Sequence, residues 1–422
     1  MKQYDMIIIG AGPAGMSAAY AAAKEGIRIL LLEKADRIGK KILVTGNGRC
    51  NLTNEVQNPD CYRSDYGERV QGVLSSFSYE DTHIFFRNLG ILTRNKNGYI
   101  YPYNEQAASV REAFEVALTS QENITILTGC KVEGIDFTKK GYRVFTNRES
   151  FGAKAVVVAT GGYAGPSIGC DGSGFAFAKA MGHEIVKPFP ALTPLKSGAP
   201  FLKKVSGVRN QARIHLLVDG VEERREEGEL QWTEYGISGV AIFQLSRYAV
   251  LAMEEGKKVA LSLDFMPDWK EEDVEALLTS FQKKCSYKNL KELISGFLPG
   301  KLVPVVLREA KIKEEKSVME IKEEDIHMLC HSIKHFLLRI NGYVGYEKAQ
   351  VTRGGVSLRE LNDQMESIYQ PGLFFAGEVT DVDGTCGGYN LQWAFSSGNL
   401  AGLAAASYVS TQKKEKGKRD HA

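Results

Sequence analysis

The chain has 422 residues, of which 43% are hydrophobic, and its 53 Lys and Arg nearly balance its 51 Asp and Glu. This length and composition predict two or three globular domains, and a net charge of +2 indicates neither a polyanionic partner nor an acidic substrate. The seven cysteines include no C-x-x-C pair, which argues against a zinc ribbon or a dithiol centre.

Two uncharged stretches, residues 6–23 and 390–410, are the longest segments that resemble membrane spans. Glycines interrupt the first and polar residues interrupt the second, so neither is the continuous apolar run of about 20 residues that a span needs. Scattered free thiols are typical of a reducing compartment. We therefore expect a cytoplasmic protein without a membrane partner.

A buried strand, a glycine-rich turn and a helix open the chain. The apolar run 4–9 predicts a strand, the turn 10–15 reads GAGPAG, and an alanine-rich helix follows to about Lys24. A second strand, 27–32, ends at Glu33. The glycines allow a pyrophosphate to approach the helix N-terminus, and Glu33 is placed to accept hydrogen bonds from an adenosine ribose. The pattern predicts a dinucleotide-binding Rossmann unit and leaves the dinucleotide undecided.

The rest of the chain contains no second unit of this kind, which favours a flavin over a nicotinamide. Strands within 141–152 lead into the strand 155–159 and the sequence Thr-Gly-Gly at 160–162, a meander like that of two-dinucleotide-domain flavoproteins. In those proteins this segment passes near the adenine and pyrophosphate, and Val132 lies where a backbone pair holds the adenine.

A strand and a helix near the C-terminus complete the predicted cofactor domain. The strand 372–377 ends at Glu378, and a small-residue helix begins near Asn390 and runs to about Val409. Glu378 or Asp381 could hold ribityl hydroxyls. The helix start could direct N–H groups at the flavin edge that gains charge on reduction. This arrangement favours FAD over NAD, although a plain loop and helix cap would read similarly.

Two long motifs show a family resemblance. Residues 39–54 read GKKILVTGNGRCNLTN, and the second motif joins VTRGGV at 351–356, FAGEVTDVDG at 375–384 and GGYNLQW at 387–393. They resemble the BaiN/RdsA-type FAD-dependent oxidoreductases, also catalogued as an aminoacetone oxidase family, over nearly the whole chain. The resemblance implies noncovalent FAD in a discontinuous Rossmann-type domain with an inserted second domain. Some members are linked to reduction of carbon–carbon double bonds in enone steroids.

The sequence departs from the family at 233–240, TEYGISGV, where many relatives have Thr-His-x-Gly-x-Ser-Gly-Pro. Any substrate role of that histidine is therefore not carried over to Glu234. The resemblance places Lys41, Thr45 and Asn47 beside the flavin and its phosphates. The motifs and the resemblance together predict cofactor contacts at Gly10, Ala11, Gly12, Pro13, Ala14, Gly15, Glu33, Lys34, Lys41, Thr45, Gly46, Asn47, Gly48, Val132, Ala159, Thr160, Gly161, Gly377, Glu378, Asp381, Gly388, Asn390, Leu391 and Gln392.

Arg49, Arg353 and Tyr389 are the predicted catalytic residues, for substrate anchoring or proton donation. Structural ion pairing explains the two arginines equally well. Cys50 and Cys386 lie in the two motifs, and they are interpreted as packing residues because neither has a nearby histidine or partner cysteine in the sequence.

The predicted fold class is α/β, with a discontinuous, Rossmann-like FAD domain of the two-dinucleotide type and an inserted β-barrel-like and helical domain. The first part of the FAD domain covers 1–188 and the second 345–410, followed by a basic tail, 411–422. The insertion covers 189–344, β-rich in 189–268 and helical in 269–344. It is interpreted as a substrate domain, with dimerisation as the alternative.

Within the insertion, the sequence predicts strands at 212–219 and 259–265, a charged turn at 222–229 and a helix at 241–255. His327, His331 and His335 share one helix face. Two histidines at i, i+4 can share a zinc ion, but no acid follows His327 as in H-E-x-x-H. We therefore expect a polar or packed face there and no metal.

The predicted function is an FAD-dependent oxidoreductase that passes hydride from flavin N5 to a C=C bond of an unsaturated small molecule, with NAD(P)H or another donor. One alternative is an FAD-dependent amine oxidase using O₂. A second is a flavoprotein acting on tRNA, which would need a basic stripe that a net charge of +2 does not indicate. No nucleic-acid partner is expected, and the substrate and oligomeric state stay open.

Overall fold

A computed structural model describes the backbone of residues 1–420 and the side chains of residues 1–413. The chain divides into unit 1, Met1–Phe189 with the chain from Gln350 onward, and unit 2, Pro190–Ala349. The cofactor-binding motifs of the sequence all fall in unit 1. No helix in the described part of the chain is both long and apolar enough to cross a membrane.

The strands and helices are numbered here in chain order. The strands are β1 Lys2–Gln3, β2 Met6–Ile9, β3 Ile29–Leu32, β4 Thr53–Asn54, β5 Tyr62–Arg63, β6 Thr93–Lys96, β7 Tyr99–Pro102, β8 Ile124–Leu127, β9 Val132–Thr138, β10 Gly141–Thr146, β11 Ser150–Ala153, β12 Ala155–Val158, β13 Ile185–Ala191, β14 Leu195–Lys196, β15 Arg209–Val218, β16 Val221–Thr233, β17 Gly236–Ser238, β18 Val259–Asp264, β19 Phe336–Ile340, β20 Gly342–Tyr343, β21 Val351–Val356, β22 Leu373–Phe375 and β23 Asp383–Gly384. The helices are α1 Pro13–Ala23, α2 Gly67–Ser76, α3 Tyr79–Asn88, α4 Ala107–Thr119, α5 Ser173–Ala180, α6 Leu202–Val205, α7 Val240–Glu254, α8 Glu271–Lys284, α9 Leu290–Ile294, α10 Val303–Glu309, α11 Glu323–Lys334 and α12 Tyr389–Asp420.

The core of unit 1 is a five-stranded parallel sheet in the order β22-β12-β2-β3-β8. Its central strands are apolar at every position because both faces of a parallel sheet are covered. A second sheet, β1-β11-β10-β9, contains the meander predicted over 141–152. The strand order places the ends of β2, β12 and β22 side by side, next to the glycine-rich turn.

Helices α1 and α12 pack against each other through small residues. A Cβ atom added at Gly398 would overlap the carbonyl oxygen of Ala14, and one at Gly402 would overlap that of Ala18. The two backbones therefore approach more closely than larger side chains would allow. This contact fixes the start of α12 relative to the start of α1, which are the two helix ends predicted to face the cofactor.

The predicted end of α12 near Val409 is wrong, because the helix continues to Asp420. Charged residues replace apolar ones at 411–420, but none of them breaks a helix. Lys413 Nζ donates to Asp5 Oδ2 at 3.1 Å, so the helix reaches the first strands of the chain. The side chains of 414–422 in the predicted basic tail lie outside the described residues.

Unit 2 is built on a seven-stranded antiparallel sheet in the order β19-β18-β15-β16-β17-β14-β20. The two edge strands, β19 and β20, are consecutive in the chain and separated only by Asn341. The sheet therefore closes on itself, as the predicted barrel-like unit requires. Its apolar core includes Trp232 and Phe336 and extends over helices α7 to α11.

Two predictions for this unit are wrong. The charged segment 222–229 is not a turn but part of β16, and the turn is formed by Asp219 and Gly220, both with positive φ. Solvated side chains on β16 hide the strand pattern, and ion pairs with β15 hold it, such as Arg213–Glu227 at 3.0 Å. The segment predicted as helical also contains strand β19, whose alternating burial is that of a strand.

Candidate functional site

The glycine-rich turn connects β2 to α1. Gly10 has a φ of +98°, and a Cβ there would lie 2.5 Å from the carbonyl oxygen of Ala159 at the end of β12. A Cβ at Gly15 would overlap the carbonyl oxygen of Gly10, so this position needs glycine for helix–strand packing. At Gly12, the N-cap of α1, an added Cβ would meet no atom within 4 Å, and no side chain caps the helix.

The space at Gly12 therefore fits the predicted pyrophosphate. An uncapped helix N-terminus presents unsatisfied N–H groups and the positive end of the helix dipole to a ligand. The predicted contacts at Gly10, Ala11, Pro13 and Ala14 all belong to this turn or to the first turn of α1.

Glu33 follows β3 at the same end of the sheet. Its carboxylate accepts hydrogen bonds from the backbone N–H groups of Ala11 at 2.9 Å and Ala35 at 2.8 Å. These bonds fix the carboxylate and leave oxygen lone pairs for ribose hydroxyls. The segment leading to Val132 lies alongside, because Cys130 N–H donates to the carbonyl oxygen of Glu33 at 2.9 Å. The structure thus brings together the residues predicted on the adenosine side.

Lys34 is engaged with another side chain. Its Nζ lies 2.6 Å from Asp171 Oδ1, an ion pair between the end of β3 and the loop before α5. Burial alone would raise the pKa of Asp171, but hydrogen bonds from Lys34 and Ser173 lower it overall. The residues after β12 that were predicted to contact the cofactor, Ala159–Gly161, lead into this same loop.

The loop 45–50 has an unusual backbone. Gly46, Asn47, Gly48 and Cys50 all have positive φ, and the N–H of Cys50 donates to the carbonyl oxygen of Thr45 at 3.0 Å. Four left-handed residues in five positions make a tight loop that only a glycine-rich sequence forms at low cost. The side chains at 47 and 49 are exposed. The glycines of this motif therefore serve the backbone conformation.

Lys41 is partly buried at the start of this segment and pairs with Glu378. Its Nζ donates to Glu378 Oε2, and Glu378 Oε1 accepts the N–H of Thr352 at 2.9 Å. Burial alone would lower the pKa of Lys41, but the facing Glu378 carboxylate raises it, so the lysine stays charged. Thr352 Oγ1 in turn accepts the N–H groups of Tyr163 and Ala164. The pair thus ties the first motif to the second and to the loop after β12.

We predict that Lys41→Met destabilises the protein by about 3 kcal/mol, because it leaves the Glu378 carboxylate partly buried without its counter-charge. The double variant Lys41→Met with Glu378→Gln should recover a large part of that loss. Urea unfolding of the apoprotein forms of wild type, both single variants and the double variant gives the coupling energy. Additive losses would show that the pair contributes no coupling to stability.

The start of α12 holds several predicted cofactor contacts. The Asn390 amide bonds both the N–H and the carbonyl oxygen of Gly384, at 2.8 and 2.9 Å, and so fixes the glycine-rich loop before the helix. Gln392 is fully buried and bonds Thr82 Oγ1 and Ser396 Oγ, so its side chain is committed to the contact with α3. Both amide side chains therefore bond protein groups, and their contact with the cofactor stays a prediction.

The other C-terminal predictions lie nearby. Gly377 follows β22 and donates its N–H to Ser397 Oγ of α12 at 2.9 Å. Asp381 and Leu391 are buried, and Gly388 has a φ of +98°. The second motif is therefore a single structural element in which the end of β22 is bonded to α12.

Asn51 and Thr53 are not among the site residues that the sequence predicts. Among the described residues, neither Asn51 Oδ1 nor Thr53 Oγ1 has a hydrogen-bond partner, although both atoms are buried. A Cβ at Gly388 would lie 2.9 Å from Asn51 Oδ1, so these atoms adjoin the start of α12. Buried polar atoms without a protein partner fit a site completed from outside the chain. Their position inside the motif 39–54 is the feature of the sequence that could have identified them as site residues.

The three predicted catalytic residues have different surroundings. Arg49 is half exposed, lies 3.9 Å from Glu105 and stacks over the Tyr101 ring at 5.2 Å. Tyr389 is buried edge-to-face against Tyr62, and burial raises its pKa, so its phenol stays protonated at neutral pH. The guanidinium of Arg353 lies 5.9 Å from the Phe189 ring centroid.

The motif cysteines are not poised as thiolates. Burial raises the pKa of Cys50 to about 12 and that of Cys386 to about 11. Both thiols are therefore protonated at neutral pH, and neither forms a disulfide. This supports the interpretation of both as packing residues.

A family model described as HI0933-like protein Rossmann domain matches residues 4–404. The chain belongs to this family. The family confirms the predicted Rossmann-like FAD-binding domain. It also confirms the predicted class of activity, which is that of an FAD-dependent oxidoreductase.

Three relatives that match nearly the whole chain carry two kinds of name. The chain is 41% identical to a 3-dehydro-bile acid delta(4,6)-reductase of Clostridium scindens, over 94% of this chain and 98% of the relative. It is 30% identical to a ribosomal RNA dihydrouridine synthase of Escherichia coli, over 94% of this chain and 96% of the relative. Among solved structures, a 3-ketosteroid delta1-dehydrogenase of Sterolibacterium denitrificans shares the fold, with 12% identity, a TM-score of 0.51 and coverage of 96% and 100%.

Proposed function

We propose that the protein reduces a C=C bond conjugated with a carbonyl group in an unsaturated small molecule, with NAD(P)H as the electron donor. The observation that carries the proposal is the 41% identity to the bile acid reductase over nearly the full length of both chains. The names of both kinds of relative describe the addition of two hydrogens across such a bond. The names give different substrates, a bile acid and ribosomal RNA. The identity is higher to the bile acid reductase, at 41%, than to the RNA-modifying relative, at 30%.

When bound, FAD supplies the hydride for this reduction. The chain contributes the binding elements: the open helix N-terminus at Gly12 for the pyrophosphate and Glu33 for the ribose. The start of α12 is suited to the negative charge that develops on the flavin, because backbone N–H groups point out of a helix N-terminus.

A proton must reach the other carbon of the double bond. Of the three predicted catalytic residues, Tyr389 is the one with a phenol proton to give, although burial raises its pKa and so makes it a weak acid. Arg49 and Arg353 are suited to anchor a carbonyl or carboxylate group of the substrate, because a guanidinium presents several N–H donors in a planar fork. We assign proton donation to Tyr389 and substrate anchoring to the two arginines.

The charge distribution favours a small molecule over RNA. Unit 2 contains 24 Lys and Arg and 24 Asp and Glu, and unit 1 contains 29 and 27. Neither unit has the excess of positive charge on which RNA binding depends. Two arginines of β15, Arg209 and Arg213, pair with Glu229 and Glu227 of β16, both at 3.0 Å. The relative that acts on ribosomal RNA makes RNA reduction the second candidate.

The first test is anaerobic reduction of the purified, flavin-loaded protein with NADPH and then with NADH. Bleaching of the visible flavin band, followed by its return on addition of a 3-oxo-Δ4,6 steroid, is the expected result. Return of the band only with uridine-containing rRNA, and formation of dihydrouridine in it, would favour the second candidate. No bleaching with either nicotinamide, together with oxygen uptake on small amines, would favour an amine oxidase. A protein that cannot be loaded with FAD would overturn the proposal.

A further inference from the structure

Three side chains that can ligate a metal ion lie close together in unit 2. Glu271 is the first residue of α8, and His331 and His335 lie at the end of α11. One ligand atom from each of the three lies within 4.8 Å of the others. His335 Nε2 and Glu271 Oε2 are 3.3 Å apart, and the two imidazole centroids are 5.1 Å apart. Two ligand atoms on a tetrahedral zinc ion, with bonds of about 2.0–2.1 Å, lie roughly 3.3 Å apart. His335 Nε2 and Glu271 Oε2 have this separation.

The two helices hold this arrangement in place. His331 lies in the last turn of α11, and His335 caps the C-terminus of that helix four residues later. The N–H of His335 donates to the carbonyl oxygen of His331 at 2.7 Å, which holds the two histidines one turn apart. Next to them, Cys330 Sγ donates to the backbone carbonyl of Glu271 at 3.5 Å. Buried Val274 of α8 and Leu329 of α11 belong to the core of this unit. The ligands are thus carried by anchored helices rather than by a loop.

We propose that Glu271, His331 and His335 bind one divalent cation of the zinc type. Two imidazoles and one carboxylate form a donor set that zinc prefers and that magnesium and calcium do not. Three protein ligands leave room for water at the remaining position. The ion would join the first turn of α8 to the last turn of α11 and so stabilise unit 2.

The sequence predicts no metal here, because no acid follows His327 as in H-E-x-x-H. The acid found in the structure lies 60 residues before His331, on another helix. His327, the third histidine on the α11 face, is not part of the site. Its Nδ1 bonds Glu275 Oε1 at 2.8 Å, one helical turn along the same pair of helices. His327 is therefore a matched control: an exposed histidine on the same helix, also bonded to an α8 glutamate.

The test is isothermal titration of untagged, chelator-washed, flavin-loaded protein with ZnCl₂ at pH 7.5. Wild type is expected to bind one Zn²⁺ with a Kd of about 1 µM, and zinc should raise its Tm. The double variant His331→Ala with His335→Ala should weaken binding at least roughly 30-fold, and Glu271→Gln about 10-fold. His327→Ala should bind zinc like wild type.

Three results would overturn the proposal. Wild type with no zinc binding tighter than about 100 µM would show that the cluster is no site at physiological metal levels. Equal affinity in wild type and the double histidine variant would place the ion elsewhere. A loss in His327→Ala as large as in the double variant would show that general surface charge binds zinc. Circular dichroism of each variant confirms that it folds before titration.

Discussion

Gly12→Ala is expected to weaken FAD binding by about 100-fold, or ~2.7 kcal/mol, and to leave the stability of the apoprotein unchanged. The added Cβ meets no protein atom within 4 Å, and the φ of −80° at this residue suits any amino acid. The methyl group would instead fill the space in which we place the pyrophosphate, next to the N-terminus of α1. FAD affinity is measured by flavin fluorescence on reconstitution of the apoprotein, and stability by urea unfolding without FAD.

Gly15→Ala provides the contrast, because its Cβ would overlap the carbonyl oxygen of Gly10. That variant is expected to lose both FAD binding and about 3 kcal/mol of apoprotein stability, since α1 must move away from β2. Comparison of the two variants distinguishes a glycine that leaves room for the ligand from a glycine that is needed for helix–strand packing. If Gly12→Ala bound FAD like wild type, the pyrophosphate would have to lie elsewhere.

The sequence predicted the parts of the fold that depend on local pattern. The strand-turn-helix unit at 6–24 follows from apolar residues in a short run, glycines at the turn and alanines with high helix propensity. These signals act within a few residues, so no tertiary contact overrides them. The turn predicted at 222–229 fails for the opposite reason. β16 is held by pairing with β15 and has few buried side chains, so its own residues do not show that it is a strand.

The sequence predicts which segments form the candidate site, but it does not predict the side-chain contacts within it. The motifs located the segments that meet at the ends of β2, β12 and β22. They could not show that Lys41 pairs with Glu378, 337 positions later, or that the Gln392 side chain bonds Thr82 of α3. Such pairings depend on how distant segments pack. The lack of a hydrogen-bond partner for Asn51 Oδ1 and Thr53 Oγ1 can be recognised only from the three-dimensional positions of the surrounding groups.

A buried polar cluster in unit 1 surrounds the imidazole of His183. His183 has a fully buried side chain that bonds Glu360 Oε2 through Nδ1 at 3.1 Å and Ser367 Oγ through Nε2 at 2.7 Å. Glu360 also accepts the hydroxyl of Tyr369 at 3.0 Å and the N–H of Glu184 at 2.7 Å. This Ser-His-Glu order resembles a hydrolytic triad. Because Ser367 is buried and its Oγ accepts two backbone N–H groups, the cluster is a structural tie.

His183→Ala should lower the free energy of unfolding by about 2–4 kcal/mol, because it opens a cavity and leaves Ser367 Oγ and Glu360 each short of one partner. Burial lowers the pKa of His183 below its ordinary value of 6.5, despite the opposing effect of Glu360. The unfolded chain therefore takes up a proton at a higher pH than the folded protein does. This contribution to stability is complete above pH 6.5 and is lost as the pH falls toward the folded-state pKa.

Urea unfolding between pH 8 and pH 5 checks both parts of this prediction. Wild type should lose stability on acidification, and His183→Ala should show a weaker dependence on pH below about 6.5 from a lower starting value. An equal slope in wild type and His183→Ala would mean that His183 does not change its proton affinity on folding. The cluster would then stabilise the link between β13 and the segment 357–370 by hydrogen bonding alone.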